Sequence, residues 1–308
     1  MRAFVFPGQG AQTIGMGREL AEAYPAAREV FDQVDDALGE KLSDLIWNGD
    51  IETLTLTQNA QPALMATSMA AFRALEAEGF GILDAEYVAG HSLGEYSALC
   101  AAGALTLEDT ARLLRLRGQA MQEAVPVGKG AMAAILGLDY DTVDRIARDI
   151  AGDEVVQAAN DNDPAQVVIS GHKDAVERAA AAMKEAGARR ALMLPVSAPF
   201  HSVLMQPAAA VMADALAGVD IHAPAVPLIA NVRAEAVSEP GAIRRLLVEQ
   251  VTGTVRWRES MANLVEAGVT EFWEIGAGKA LSGMIKRIAK DAKLRNIGAP
   301  ADIAALKG

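Results

Sequence analysis

Tyr87-Val88-Ala89-Gly90-His91-Ser92-Leu93-Gly94-Glu95 is the stretch whose reading decides the fold. Tyr87 to Ala89 reads as a short buried strand, and Glu95 to Ala102 is compatible with a helix. Between them, Gly90-x-Ser92-x-Gly94 matches the sharp strand-to-helix turn that lifts a serine out of a sheet. Glycines two residues to either side remove side chains that would collide there. The hydroxyl is then exposed at a helix N-terminus, where backbone N–H groups and the helix dipole stabilise an oxyanion. A second reading stays open: Ser92 with Glu95 three residues later is also a capping box, which explains neither the paired glycines nor the upstream strand.

Outward from this turn, short apolar runs alternate with longer helical ones. Arg2 to Phe6 reads as a first strand and Thr57 to Gly79 as a helix rich in Ala and Met. Such alternation implies a mostly parallel sheet covered on both faces. From about Gly128 the rhythm changes. Ala131 to Leu136, Val155 to Asn160, Gln166 to Ser170 and Arg189 to Pro195 read as strands, with helices at Asp139 to Ala151 and Asp174 to Ala186. This β-α-β-β-α-β order is the split ferredoxin-like unit. The large domain resumes with a helix from about Gln206, a strand near Leu228 to Asn231, and a last strand at Glu271 to Ile275 followed by a glycine loop and helix. The expected fold is therefore α/β: a large α/β-hydrolase-like domain of residues 1–127 and 198–308 with a mostly parallel sheet, and an inserted small ferredoxin-like (βαββαβ) domain of residues 128–197.

Bulk properties narrow the function. The chain has 308 residues, 51% of them hydrophobic, enough to bury two cores. A net charge of -12 argues against nucleic acid or an anionic membrane as the main partner. The single cysteine, Cys100, lies in an apolar run and reads as a buried thiol that fits a reducing compartment. The first apolar run meets Pro7-Gly8 too soon for a signal-peptide core, and the uncharged stretch Ala191 to Ala213 is broken by Pro195, Pro199 and Pro207. A soluble cytoplasmic protein is the expectation. No metal site is expected from four scattered histidines and one cysteine.

A serine nucleophile needs a base. His91 is adjacent and would point away; His172 opens a helix; His222 sits in a proline-rich connection. His201, in Pro199-Phe200-His201-Ser202, lies where the inserted domain hands the chain back, and interdomain clefts favour sites. The helix Leu107 to Val125 carries three arginines of interest. Arg112 and Arg115 can both be solvated, whereas the neighbours of Arg117 are Leu113, Leu114, Ala120 and Met121. A guanidinium so placed either snorkels to water or meets an anion that no nearby residue supplies; a substrate carboxylate held by a bidentate pair is one such anion. Nucleotide-binding patterns fail: Gly8-x-Gly10 lacks a glycine at Thr13, and Gly278-Lys279 is followed by Ala280.

Taken together, Pro7-Gly8-Gln9-Gly10-Ala11-Gln12, the Ser92 turn, Arg117 and Pro199-Phe200-His201 resemble the malonyl-CoA:acyl carrier protein transacylase family in order and spacing, over nearly the whole chain. The resemblance implies an acyltransferase that moves malonyl from malonyl-CoA to the phosphopantetheine thiol of acyl carrier protein, supplying extender units for fatty acid synthesis, with no bound cofactor. It implies that Ser92 is acylated, His201 is the general base, Arg117 binds the malonyl carboxylate, and the N–H groups of Gln9 and Leu93 form the oxyanion hole. Gln250 would orient His201 through its main-chain carbonyl, making a Ser-His dyad. Phe200 would crowd a substituent on the malonyl α-carbon, or simply packs. The family places an asparagine near the cleft at Asn160, although Asn160 and Asn162 are also explained by a turn. An acidic carrier would dock on a basic strip at Lys286, Arg287 and Lys290, or on Arg189 and Arg190; a solvated helix face is the other reading. A plain esterase or thioesterase and a non-catalytic carrier-binding protein are the competing functions.

Overall fold

The computed structural model describes residues 1–196 and 198–307. Ten strands form two sheets: β1 (Arg2–Phe6), β2 (Tyr87–Gly90), β3 (Gly130–Leu136), β4 (Val156–Asp163), β5 (Gln166–His172), β6 (Arg190–Met193), β7 (Leu228–Ile229), β8 (Ala236–Val237), β9 (Glu271–Ile275) and β10 (Lys293–Ile297). The larger sheet runs β10-β9-β1-β2-β7-β8, parallel throughout except for the β7–β8 pair. Its central strands β1 and β2 are apolar on both faces because both are covered. Ala3 and Val5 pack against Trp257 and Met261, while Phe4 and Phe6 enter the opposite core.

The smaller sheet is antiparallel, in the order β4-β5-β3-β6. Its side chains alternate with period two. Ala131, Ala133, Ile135, Val167 and Ile169 face the helices Tyr140–Ala151 and Lys173–Glu185. Met132, Ala134 and Val168 face the other way, toward Leu194, Val196 and Phe200. The α/β class, the mostly parallel sheet and the βαββαβ unit match the sequence expectation. The expected boundary at 197 falls on Ser197, which lies outside the described residues.

Three details differ from the sequence reading. Glu271–Ile275 is not the last strand: Lys293–Ile297 extends the sheet as an edge strand, its alternation masked by Lys293 and Arg295. Asn160 and Asn162 do not form a turn; they lie in β4, which runs on to Asp163. That polar strand is stabilised by the larger sheet's side of the molecule. Val255 exchanges two main-chain hydrogen bonds with it, Asp161 N–H to Val255 O and Val255 N–H to Ala159 O, both 2.9 Å. The buried Asp161 and Asp163 carboxylates pair with Arg258 (2.8 Å) and Arg287 (2.7 Å). Arg115 is not solvated: only 14% of its side chain is exposed, and it bonds the Gln58 carbonyl, Asn59 and Glu40.

Candidate active site

β1, β2 and β9 end on the same edge of the parallel sheet, and the loops that follow them open into one cleft, as expected at the carboxyl ends of an open α/β sheet. The small sheet supplies the facing wall. The cavity holds about 340 Å³ and is lined by residues from both, including Gln9, Ser92, Arg117, Asn160, Phe200 and His201.

The turn after β2 is as tight as its glycines suggest. A Cβ on Gly90 would lie 1.9 Å from the Gly94 carbonyl carbon, and one on Gly94 would lie 2.3 Å from the Phe6 carbonyl oxygen. Ser92 adopts φ 54°, a conformation uncommon for a side-chain-bearing residue and therefore held by its surroundings. Two side chains hold it. Ser92 N–H donates to Asn231 Oδ1 at 2.8 Å, and its carbonyl accepts from Gln250 Nε2 at 2.9 Å. Asn231 Nδ2 also donates to Gly90 O at 2.7 Å, so one amide spans the turn. The capping box does not form: Ser92 Oγ is engaged elsewhere, and Glu95 contacts Gln250.

Ser92 Oγ lies 2.7 Å from His201 Nε2. His201 Nδ1 lies 2.9 Å from the Gln250 main-chain carbonyl, an acceptor only, so Nδ1 carries the proton and Nε2 presents its lone pair to the hydroxyl. His201 itself has φ 55°. Burial, then the nearby Arg117 cation, lower its pKa to about 3, against which the Gln250 carbonyl works. The ring is thus neutral at physiological pH. His91 turns away from the serine, its Nε2 2.8 Å from Asn162 Oδ1 and its ring 5.6 Å from that of Trp257. His172 accepts from Val155 N–H at 2.9 Å.

Arg117 does not snorkel; it is 1% exposed. Nη1 donates to Gln61 Oε1 at 2.7 Å, and Nη2 donates to Gln250 Oε1 at 2.8 Å and Ser92 Oγ at 3.2 Å. Its Nε is buried without a hydrogen-bond partner among the described residues. Gln61 is fixed in turn by Thr57, whose hydroxyl donates to Gln9 Oε1 at 2.9 Å. No carboxylate forms an ion pair with this guanidinium among the described residues, so a strong donor array faces the serine. Gln9 and Leu93 line the cleft beside Ser92, and neither main-chain N–H is taken by an acceptor among the described residues. Phe200 and Asn160 line it too.

The structure therefore brings together Gln9, Ser92, Leu93, Arg117, Asn160, Phe200, His201 and Gln250. Sequence reasoning missed Asn231, Gln61 and Glu95, and it used only the main chain of Gln250. Gln61 had a readable signal, a polar residue inside an apolar helix; Asn231 had none. Among the described residues no group of His, Cys, Asp and Glu is placed to hold a metal ion.

Chemically, a hydroxyl bonded to a neutral imidazole, with open N–H groups and a buried cation alongside, is equipped for acyl transfer through serine. Residues 3–298 match the acyl transferase domain family, and the chain belongs to it. It is 48% identical over 302 residues to the malonyl CoA-acyl carrier protein transacylase of Bacillus subtilis, covering 98% of this chain and 94% of that protein. The solved acyl-carrier-protein S-malonyltransferase from Bartonella henselae superimposes with a TM-score of 0.97 at 56% identity, covering 99% of this chain and 98% of that one. A malonyl-transacylase solved in complex with its type II PKS acyl-carrier protein gives 0.96 at 43% identity, covering 99% of this chain and 98% of that one. The protein is an acyltransferase.

Proposed function

We propose that the protein transfers the malonyl group of malonyl-CoA to the phosphopantetheine thiol of acyl carrier protein, in the service of fatty acid synthesis, by a ping-pong route through Ser92. The observation that carries this reading is the buried Arg117 guanidinium 3.2 Å from Ser92 Oγ. It selects an acyl group bearing its own carboxylate. His201 Nε2 takes the hydroxyl proton as Ser92 Oγ attacks the thioester carbonyl, and the N–H groups of Gln9 and Leu93 receive the oxyanion. The C–S bond breaks, the proton passes to the coenzyme A sulfur, and the carrier thiol then attacks the malonyl-serine ester by the reverse steps. A carbonyl partner holds the His201 tautomer without adding charge, which makes a Ser-His dyad. A carboxylate seated on Arg117 offsets the cation that depresses His201, so substrate binding strengthens the base. Phe200 sets the room at the α-carbon and Asn160 borders the acyl group.

Residues 1–127 and 198–308 are taken as one domain and 128–197 as the inserted one, supported by the separate small sheet and its own core. A cytoplasmic setting is supported by the buried Cys100 thiol, whose pKa burial pushes up to about 11. Among the described residues no helix is long and apolar enough to cross a membrane.

For carrier docking, the structure changes the weights within the basic strip. Arg287, half exposed, pairs with buried Asp163. Lys286, which donates to the Lys290 carbonyl, and Lys290 are exposed, as are Arg190 of β6 and Arg189, whose side chain passes close to Gly137. Replacing Lys286 and Lys290 by Glu should weaken the carrier half-reaction and spare coenzyme A; equal loss in both would exclude this surface. The central reading is tested by intact and peptide mass spectrometry after brief incubation with malonyl-CoA. A malonyl adduct on Ser92, lost in Ser92→Ala, is expected. An adduct elsewhere, or rapid hydrolysis without carrier, would overturn it.

A further inference from the structure

Glu95 lies three residues beyond the nucleophile in the first turn of the helix Gly94–Ala101, and it is 1% exposed. A carboxylate taken out of water at a cost of several kcal/mol must be held by specific partners. It has them: Gln250 Nε2 donates to Glu95 Oε2 at 2.6 Å, and the main-chain N–H of Asn231 also reaches the carboxyl. No step of the acyl transfer uses Glu95.

We propose that Glu95 is a positioning residue for carboxylate recognition: it fixes the orientation of the Gln250 amide, and that amide presents Arg117 to the substrate. The proposal rests on the malonyl-transfer reading. Gln250 Nε2 faces three acceptors, Glu95 Oε2 at 2.6 Å, Ser92 O at 2.9 Å and, farther off, Asn231 Oδ1 at 3.5 Å, while Oε1 accepts from Arg117 Nη2 at 2.8 Å. Turning the amide over would set its NH₂ against the guanidinium and its oxygen against those acceptors. Glu95 supplies the shortest of the contacts that forbid this. The same Gln250 holds the base through its main-chain carbonyl, so base and carboxylate site share one residue but use different atoms of it. Glu95 acts on the side chain alone. The surrounding titratable groups are Arg117, which favours its ionised form, and Tyr96, whose buried hydroxyl has no hydrogen-bond partner among the described residues. Burial outweighs Arg117 and pushes the Glu95 carboxyl up to about 8. In either protonation state an oxygen remains to accept from Gln250.

The experiment is single-turnover acylation of Ser92 by malonyl-CoA and by acetyl-CoA, followed by mass spectrometry. It compares wild type with Arg117→Ala, Glu95→Ala, Glu95→Gln, Gln250→Met, and the pair Glu95→Ala with Gln250→Met. Gln250→Met removes the amide and keeps the main-chain carbonyl. Glu95→Ala is expected to lower the malonyl-over-acetyl preference about tenfold, a loss in the range of one hydrogen bond. Glu95→Gln, which still offers an oxygen, should stay within about threefold of wild type, and the double variant should fall no further than its worse parent. An unchanged preference in Glu95→Ala, an equal loss with both substrates, or additive losses in the double variant would overturn the proposal. If Glu95→Ala does not fold, Gln250→Met decides: it must lose the preference, and adding Glu95→Gln must change nothing further. A wild type with no malonyl preference, or one that Arg117→Ala leaves intact, defeats the malonyl reading itself rather than the role of Glu95.

Discussion

The two walls of the cleft are built on opposite rules. The wall from the parallel sheet is polar and tied together: Ser92, His201, Arg117, Gln250, Gln61 and Asn231 each make at least one short hydrogen bond within it. The wall from the small sheet is mainly apolar where it meets the cavity, with Met132, Ala134 and Val168 beside Leu194, Val196 and Phe200, and its polar lining is confined to Asn160, Asn162 and Gln166. A reacting centre needs donors whose direction is fixed before the substrate arrives. A surface that judges the size of an acyl chain needs only shape. Substitutions on the first wall should therefore cost rate, and those on the second should change selection.

The largest effect is expected from Ser92→Ala, which should abolish the covalent adduct and lower acyl transfer by about 10³-fold or more in steady-state assays. Arg117→Ala comes next. Loss of a buried charge pair to the substrate should reduce malonyl loading about 10²-fold while acetyl loading falls far less, as read by acylation rates with both thioesters. An equal loss with both would dissolve the distinction between carboxylate recognition and chemistry within the polar wall.

The pH dependence sharpens the same contrast. His201 must be neutral to accept the proton, and its pKa is lowered from 6.5 to about 3, so the ring is neutral above that lower value. The acid limb of kcat/KM for malonyl-CoA, which reports the free enzyme, should then lie well below 6.5. Removing the Arg117 cation removes part of the depression, so in Arg117→Ala the limb should move toward higher pH. A limb that stays put would show the two groups to be electrically independent. On the apolar wall, Phe200→Ala should leave the pH profile unchanged and raise methylmalonyl use relative to malonyl by roughly tenfold, the scale of a small group in a hydrophobic pocket.

How much of this was legible depends on range in sequence. The turn after β2 announced itself because strand, glycines, serine and helix are contiguous, and the same holds for the alternating small-sheet strands. Arg117 was conspicuous for its apolar neighbours three and four residues away. The edge strand β10 was hidden because its exposed positions are basic, and a basic segment reads as solvated helix as readily as strand. β4 was cut short because its polar residues look like a turn; only Val255, Arg258, Arg287 and His91, far away in the chain, make them acceptable in a strand. Arg287, offered by the sequence as a free charge, is half spent on Asp163 for the same reason.

By itself the sequence determined much of the local geometry: the strand and helix on either side of the Ser92 turn, the alternation of the small domain, where a serine must be lifted from a sheet, and which arginine has no local anion. Those follow from steric limits and periodicity within a few residues. Only the tertiary structure decided what Glu95 is for, that Asn231 and Gln250 hold the strained Ser92 from both sides, and that His201 meets the hydroxyl at 2.7 Å. Those contacts join residues up to 158 positions apart. A hydrogen bond depends on where two atoms sit in space, and no spacing along the chain encodes that until the sheets and helices have packed.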